Sequence, residues 1–182
     1  MTRLTVIAGP TAVGKGTVIK YILQHYPQVQ LSVSATTRAP RPGEIDGVSY
    51  HFLSMDQFDS NIANGQMLEY AVVHGVNKYG TLRGPVEDAI AHGKQMILEI
   101  DIQGARQVKQ AMPEANLIFI APPSWDELVN RLQGRGTESP EEQAKRLETA
   151  KLELAAQSEF DHVVINDSVA ECAQRIVELL QA

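Results

Sequence analysis

The chain has 182 residues, 43% of them hydrophobic and 21% charged, with a formal net charge of -6. This is the composition of one ordinary globular domain, and its acidic balance argues against a general binder of nucleic acid or of anionic membrane. No apolar run approaches the roughly 20 residues that cross a bilayer, and the lone cysteine, Cys172, excludes an intrachain disulfide framework and suits a reducing compartment.

The N-terminus enters a strand-like run with no signal-peptide layout, so a cytoplasmic protein is expected. Leu4 to Ala8 is short, apolar and rich in β-branched residues, the pattern of a strand buried on both faces of a parallel sheet. After a glycine-rich loop, Val18, Ile19, Ile22, Leu23 and Tyr26 recur at helical spacing until Pro27. A second strand is expected over 30–33, and a loop over 36–47, where two prolines and two glycines fall. A strand over 49–54, a helix over 55–64 and a strand over 67–74 follow, the last closing on the turn G-V-N-K-Y-G.

The alternation of strand and helix then resumes. Helices are expected over 86–92, 104–112 and 124–134, and strands over 96–100 and 117–121, the latter stopped by Pro122 and Pro123. Ser139, Pro140 and Glu142 read as the N-cap, N1 proline and capping-box glutamate of a long helix. A strand over 163–165 and a helix over 169–180 close the chain. Cys172 falls in that helical stretch and reads as a small buried apolar residue. Such a rhythm predicts a mostly parallel sheet with helices on both faces. Residues 32–83 read as an inserted β-rich subdomain and 125–150 as a helical excursion.

G-P-T-A-V-G-K-G-T, Gly9 to Thr17, fits the phosphate-cradling pattern G-x-x-x-x-G-K-[ST] except at its last position. Gly9 and Gly14 flank a loop tight enough to turn successive N–H groups inward as an anion nest. Lys15 adds its charge at the positive end of the helix that follows. Gly16 stands where the pattern wants a hydroxyl for magnesium, so a metal there would rest on phosphate oxygens and water, which magnesium accepts readily. Thr17, one position on, can still bond a phosphate.

Three further groups stand out. Arg38 and Arg41 lie three apart in a constrained loop with Ser34, Thr36 and Tyr50 nearby, either as two guanidiniums converging on one phosphate or as two solvated arginines. Glu99 and Asp101 end an apolar strand, where open α/β sheets place ligands. Arg131 and Arg135 lie four apart on one face, with Arg146 beyond, and on composition alone read as a charged solvent face. The five histidines, His25, His51, His74, His92 and His162, have no ligand spacing.

Taken in order, G-P-x-A-V-G-K-G-T, S-x-T-T-R-x-P-R-P-G-E-x-x-G-x-x-Y-x-F, E-Y-A, Y-G-T, I-D-I-Q-G, A-P-P-S, R-L-x-G-R-G-T-E and V-I-N-D resemble the guanylate kinases over essentially the whole chain. The resemblance implies a P-loop three-layer α/β fold: a core of about 1–31, 84–124 and 151–182, a GMP-binding subdomain of about 32–83 and a lid of about 125–150. It implies transfer of the γ-phosphoryl group of ATP to GMP or dGMP, with Mg2+ accompanying ATP. ATP would be bound by Gly9, Pro10, Thr11, Ala12, Val13, Gly14, Lys15, Gly16, Thr17, Arg131 and Asn166. GMP would be bound by Ser34, Arg38, Arg41, Tyr50, Glu69, Tyr79, Thr81 and Asp101.

Of these residues, Lys15 and Arg38, with Arg135 and Arg146 of the lid, would carry the catalysis. No side chain is expected to ligate the metal directly, and Glu99 or Asp101 would reach it through water. Glu69 would read guanine, because a carboxylate accepts from N1–H and the 2-amino group together, whereas adenine presents a lone pair at N1. Two departures are visible: Thr11 stands where the family more often has serine, and H-G-V-N-K-Y-G-T is one residue longer than the common spacing before Tyr79. Rival readings are a non-catalytic module of the same fold, disfavoured by the intact Gly9, Gly14, Lys15, Arg135 and Arg146, and a kinase for another nucleoside or sugar phosphate, disfavoured by Glu69 and Ser34. Monomer and homo-oligomer are both open.

Overall fold

A computed structural model describes residues 4–73, 75–133 and 140–181. Five parallel strands form the main sheet: β1 (Leu4–Ala8), β2 (Val29–Leu31), β7 (Gln95–Glu99), β8 (Asn116–Ala121) and β9 (His162–Ile165), in the order β2-β7-β1-β8-β9. The central β1 is fully buried, and its side chains divide between two cores by the two-residue strand period. Leu4 and Val6 face one layer, together with Met96 and Leu98 of β7, helix α3 (Arg83–Ala91) through Val86, and helix α4 (Ile102–Ala111) through Ala105 and Val108. Ile7 faces the other layer, with Ile97, Ile118 and Ile120. That side is covered by α1 (Lys15–His25) through Val18, Ile19 and Ile22, and by α7 (Val169–Gln181) through Cys172, Ala173, Ile176 and Val177. Fully burying a side chain of this size contributes about 1.5–3 kcal/mol, so the sandwich of β1 between two helical layers is the stable frame on which the loops sit.

A second, four-stranded sheet has its own small core. Its order is β4-β3-β6-β5, from β3 (Ala35–Thr36), β4 (His51–Phe52), β5 (Met67–Val73) and β6 (Asn77–Leu82). Helix α2 (Met55–Ala63), started by a reciprocal Ser54–Gln57 capping box, lays the fully buried Phe58 against Ala35 and Met67. The two sheets meet where Leu68 of β5 enters the core cluster of α4. Helices α5 (Trp125–Gln133) and α6 (Pro140–Ala155) follow β8, with the Lys151 ammonium 5.4 Å from the centre of the Trp125 ring.

The main sheet follows the sequence reading, and the second sheet corrects it. The strand expected over 49–54 contracts to two residues, and the loop expected from Thr36 starts one residue later, because Thr36 belongs to β3. The turn G-V-N-K-Y-G is largely strand: β6 takes in Asn77 to Gly80 and lies between β3 and β5. Asn, Lys and Gly carry little strand propensity, and pairing on both edges overrides it. Gly80 is small for a local reason, since a Cβ there would stand 2.4 Å from the Glu69 carbonyl oxygen. Ser139, expected as a helix cap, and His74, expected at a strand end, lie outside the described residues. Among the described residues no helix is long and apolar enough to cross a membrane.

Candidate functional site

Parallel topology sends the carboxyl ends of β1, β7 and β9 to the same edge of the sheet, and the loop of Gly9 to Gly14 lies there. Gly14 caps α1 at φ 93, and a Cβ on it would stand 2.8 Å from Asn166 Nδ2, so conformation and space both require glycine. Ala12 also holds a left-handed φ of 63, at a cost of about 1 kcal/mol or more that the surroundings must offset. Those surroundings are specific. Asn166, buried after β9, donates from Nδ2 to the Val13 carbonyl at 2.8 Å, and Arg131 donates to the same carbonyl at 3.4 Å and to the Asn166 carbonyl at 3.3 Å. Glu127 holds the Arg131 guanidinium from one helical turn away.

Lys15 folds back over the loop, its ammonium donating to the carbonyls of Gly9 at 2.6 Å and Pro10 at 3.3 Å. Burial lowers its pKa, and the charges of Glu153, Glu99 and Asp101 oppose that shift. Glu99 Oε1 lies 4.0 Å from the place where a Cβ on Gly16 would stand. The third carboxylate comes from far along the chain. Glu153 on α6 accepts the Thr11 backbone N–H at 3.0 Å, so a helix from the 125–150 region and its extension reaches onto the glycine-rich loop.

A second cluster gathers at the loop before β4. The Arg38 guanidinium is held bidentately by Glu44 at 2.8 and 3.0 Å, and by the Ala39 carbonyl at 2.7 Å. Glu44 also accepts the Arg41 backbone N–H at 2.6 Å. The Arg38 hydrogen bond, then the one from Arg41, holds the Glu44 carboxyl below the usual carboxylate range, and Glu44 in turn raises Arg38. Arg38 lies 5.4 Å from the Tyr50 ring centre, and Tyr50 meets Tyr79 edge to face at 6.0 Å. Tyr79 stands opposite Thr36 in the β3–β6 pairing, which places it firmly despite the longer turn. The Arg41 side chain is exposed.

Two residues beyond Tyr79, on the same face of β6, the Thr81 hydroxyl donates to Glu69 Oε1 at 2.7 Å. Both residues are buried, Glu69 at 8% exposure. Burial pushes the Glu69 carboxyl up; the Thr81 hydrogen bond opposes this and the Asp101 charge adds to it. Asp101 caps α4 by accepting the Gly104 N–H at 2.7 Å. With Gln103, Arg106, Thr149 and Glu153 it also lines a cavity of about 350 Å³ between α4 and α6. Ser34 is half-buried just before β3, its carbonyl accepting the His51 N–H at 2.8 Å.

A glycine-rich loop, a paired arginine–tyrosine cluster and a buried acidic pocket thus stand around one edge of a parallel sheet. Comparison with known proteins gives the arrangement a family. The family model described as Guanylate kinase matches residues 1–182. The chain belongs to the guanylate kinase family. It is 61% identical over 178 residues to a guanylate kinase of Leifsonia xyli, spanning 98% of this chain and 70% of that one. It is 59% identical over 175 residues to one of Bifidobacterium longum, spanning 94% and 89%. A crystal structure of guanylate kinase from Anaplasma phagocytophilum superimposes with a TM-score of 0.71 at 33% identity, covering 98% of this chain and 84% of that one. A shikimate kinase from Bacteroides thetaiotaomicron, at a TM-score of 0.52 and 11% identity, shares the fold alone.

Relative to the guanylate kinase pattern, the structure brings together Gly9 to Thr17, Arg131, Asn166 and the carboxylates of Glu99 and Asp101. It assembles Arg38, Tyr50 and Tyr79 as a second group, and Glu69 with Thr81 as a third. Arg146 sits half-buried on α6, two turns before Glu153. Arg135 lies outside the described residues. Two contributors carried no role in the sequence reading. Glu44 was visible only as the last letter of P-R-P-G-E, and Glu153 only as a residue seven positions, hence one helix face, beyond Arg146.

Proposed function

We propose that this chain, which phosphorylates GMP at the expense of ATP, divides that work among the three groups just described. The loop of Gly9 to Thr17 and Lys15 hold the phosphates of ATP, and Asn166 and Arg131 keep the loop in shape from behind. Arg38, Arg41, Tyr50 and Tyr79 hold the phosphate of GMP. Glu69, Thr81, Ser34 and Asp101 read its base, and dGMP is accepted because none of these groups is assigned to the ribose. Residues 32–83 form the acceptor subdomain, 125–150 the lid with Arg135 and Arg146, and the remainder the core, in a protein of cytoplasmic purine nucleotide metabolism.

The residues fit a magnesium ion that arrives with ATP. Gly16 offers no hydroxyl, no cluster of three acidic, histidine or cysteine ligands exists among the described residues, and Glu99 faces the start of α1. Glu99 or Asp101 would hold the ion through water, and the ion would offset charge on the phosphates. The rest falls to the chain's own groups. The acceptor oxygen of GMP is already ionised near neutral pH, so no general base is required. Positioning and charge neutralisation carry the catalysis, as in phosphoryl transfer generally. Lys15, Arg135 and Arg146 offset charge on the moving group, while Arg38 aligns the acceptor. Closure of the lid keeps water from competing with it.

The observation that carries this reading is the buried Glu69 carboxylate: one oxygen is satisfied by the Thr81 hydroxyl, and among the described residues no cation pairs with it. A buried carboxylate without a counter-cation suits a ligand edge that brings two N–H donors. A coupled ADP-release assay over GMP, dGMP, AMP, CMP and UMP, with and without Mg2+, tests it. Rapid turnover with GMP and dGMP alone is expected, and equal rates with AMP would refute the base assignment.

A further inference from the structure

We propose that Gln107 is a positioning residue for the guanine-reading carboxylate of Glu69, acting through the backbone of the strand that carries it. The inference rests on the assignment of Glu69 to the base. Strand β5 is the outer strand of the second sheet, so one of its edges lacks a strand partner. At Tyr70, the residue after Glu69, that edge is covered by a side chain. The Tyr70 N–H donates to Gln107 Oε1 at 3.0 Å, and Gln107 Nε2 donates to the Tyr70 carbonyl at 3.0 Å. A primary amide offers one acceptor and one donor side by side, which is what a neighbouring strand would present. Gln107 stands in for that strand.

The rest of α4 shows why this point matters. The β5–β6 register shifts between Met67 and Glu69, a bulge that sends Leu68 into the core beside Ala105 and Val108 and re-aims the residue that follows. Glu69 then lies over Gly104, where a Cβ would stand 3.1 Å from Oε2. Leu68, Glu69 and Tyr70 are therefore each met by α4: by a hydrophobic contact, by clearance at a glycine, and by a pair of hydrogen bonds. Gly104 and Gln107 are three apart and share one helix face. Asp101, three residues before Gly104, caps the same helix through the Gly104 N–H. The bulge aims the carboxylate and the Gln107 amide holds that aim.

Gln107→Met keeps volume and helix propensity while removing both hydrogen bonds. The expected result is a rise of about tenfold in KM for GMP, as for two neutral hydrogen bonds lost from a positioning contact, with KM for ATP and kcat at saturating GMP within about twofold. In a Glu69→Ala background the same substitution should have no further effect, because its path to the base is gone. Should Gln107→Met fold poorly, Gln107→Glu, which keeps the acceptor for the Tyr70 N–H and loses the donor, serves the same comparison with the same expected split. An unchanged KM for GMP in a folded Gln107 variant, or equal rises for GMP and ATP, would overturn the inference. If Glu69→Ala itself leaves KM for GMP and the preference over AMP unchanged, the base assignment fails instead.

Discussion

Replacing Glu69 with glutamine tests the reading of the base most directly. The two side chains are nearly the same size, so the buried pocket should keep its shape, and the Thr81 hydroxyl can still donate to the amide oxygen over its 2.7 Å. What changes is the second position. An amide has one acceptor and one donor where the carboxylate has two acceptors, so one of guanine's two N–H groups meets another N–H. One hydrogen bond to a charged group, worth about 1.5–3 kcal/mol, is lost, and the other falls to the neutral value of about 0.5–1.5 kcal/mol. A net loss near 3 kcal/mol corresponds to about a hundredfold in kcat/KM for GMP at 1.36 kcal/mol per factor of ten. KM for ATP should stay within about twofold, measured by coupled ADP release at saturating GMP. A loss in kcat/KM below about fivefold, or one shared equally by ATP, would refute the reasoning.

The same carboxylate sets a pH dependence. Its folded-state pKa is raised by burial, so it protonates at a higher pH than an ordinary carboxylate, and the protonated form cannot accept both guanine N–H groups. KM for GMP should therefore rise on acidification already above the usual carboxylate range, with an acid limb that Glu69→Gln lacks and that adds to titration of the GMP phosphate near pH 6. The stability effect has the opposite sign: a raised carboxyl pKa contributes stability at low pH that is lost as pH rises through the folded-state value, so Glu69→Gln should lose part of that acid-side advantage in denaturant titrations across pH. Lys15→Ala should lower turnover by about 10³-fold or more while GMP binding, followed by calorimetry, persists. Glu153→Gln removes an anion from the Thr11 N–H and the neighbourhood of Lys15, and should lower KM for ATP about three- to tenfold at low ionic strength, less at high salt. Cys172, buried with its thiol pushed up to about 11, should react with iodoacetamide only after denaturation.

The frame was legible where one stretch of sequence is enough to specify one element. Leu4 to Ala8 is buried on both faces because helical layers cover both, and Val18, Ile19 and Ile22 mark the inner face of α1. The turn of Gly9 to Gly14 between β1 and α1 was legible for the same reason, since its glycines answer to local backbone geometry. The second sheet was not. Asn77, Lys78 and Gly80 form a strand only because β3 and β5 flank them, and nothing in those residues announces the flanking strands. Gln107 and Glu153 were invisible on different grounds: their partners Tyr70 and Thr11 lie 37 and 142 residues away. A polar residue on a helix carries no mark of such a contact. Resemblance to the family could place Glu69 and Arg38, but only coordinates join Glu69 to Thr81 and Arg38 to Glu44.

Those joined pairs bear on how the enzyme binds highly charged substrates. Two of the cationic groups proposed to meet phosphate are already engaged: Arg38 by Glu44, and Lys15 by two carbonyls with Glu153 close by. A cation that is partly shielded from water is costly to leave unpaired, so the folded chain supplies its own anions and carbonyls at the points where we propose that phosphates sit. Binding is then an exchange of partners. On that proposal each phosphate would displace an internal acceptor, which lowers its net affinity but leaves the Arg38 guanidinium and the Lys15 ammonium aligned beforehand. Exchange at Lys15 has a further consequence, because the competing carboxylate rides on α6. On the proposed assignment, a phosphate that takes over the Thr11 N–H would release Glu153, and with it a contact holding that helix to the loop. Occupancy of the loop and the position of α6 would therefore be coupled through one hydrogen bond. Glu153→Gln, which keeps an acceptor but drops the charge, should weaken that coupling without severing it.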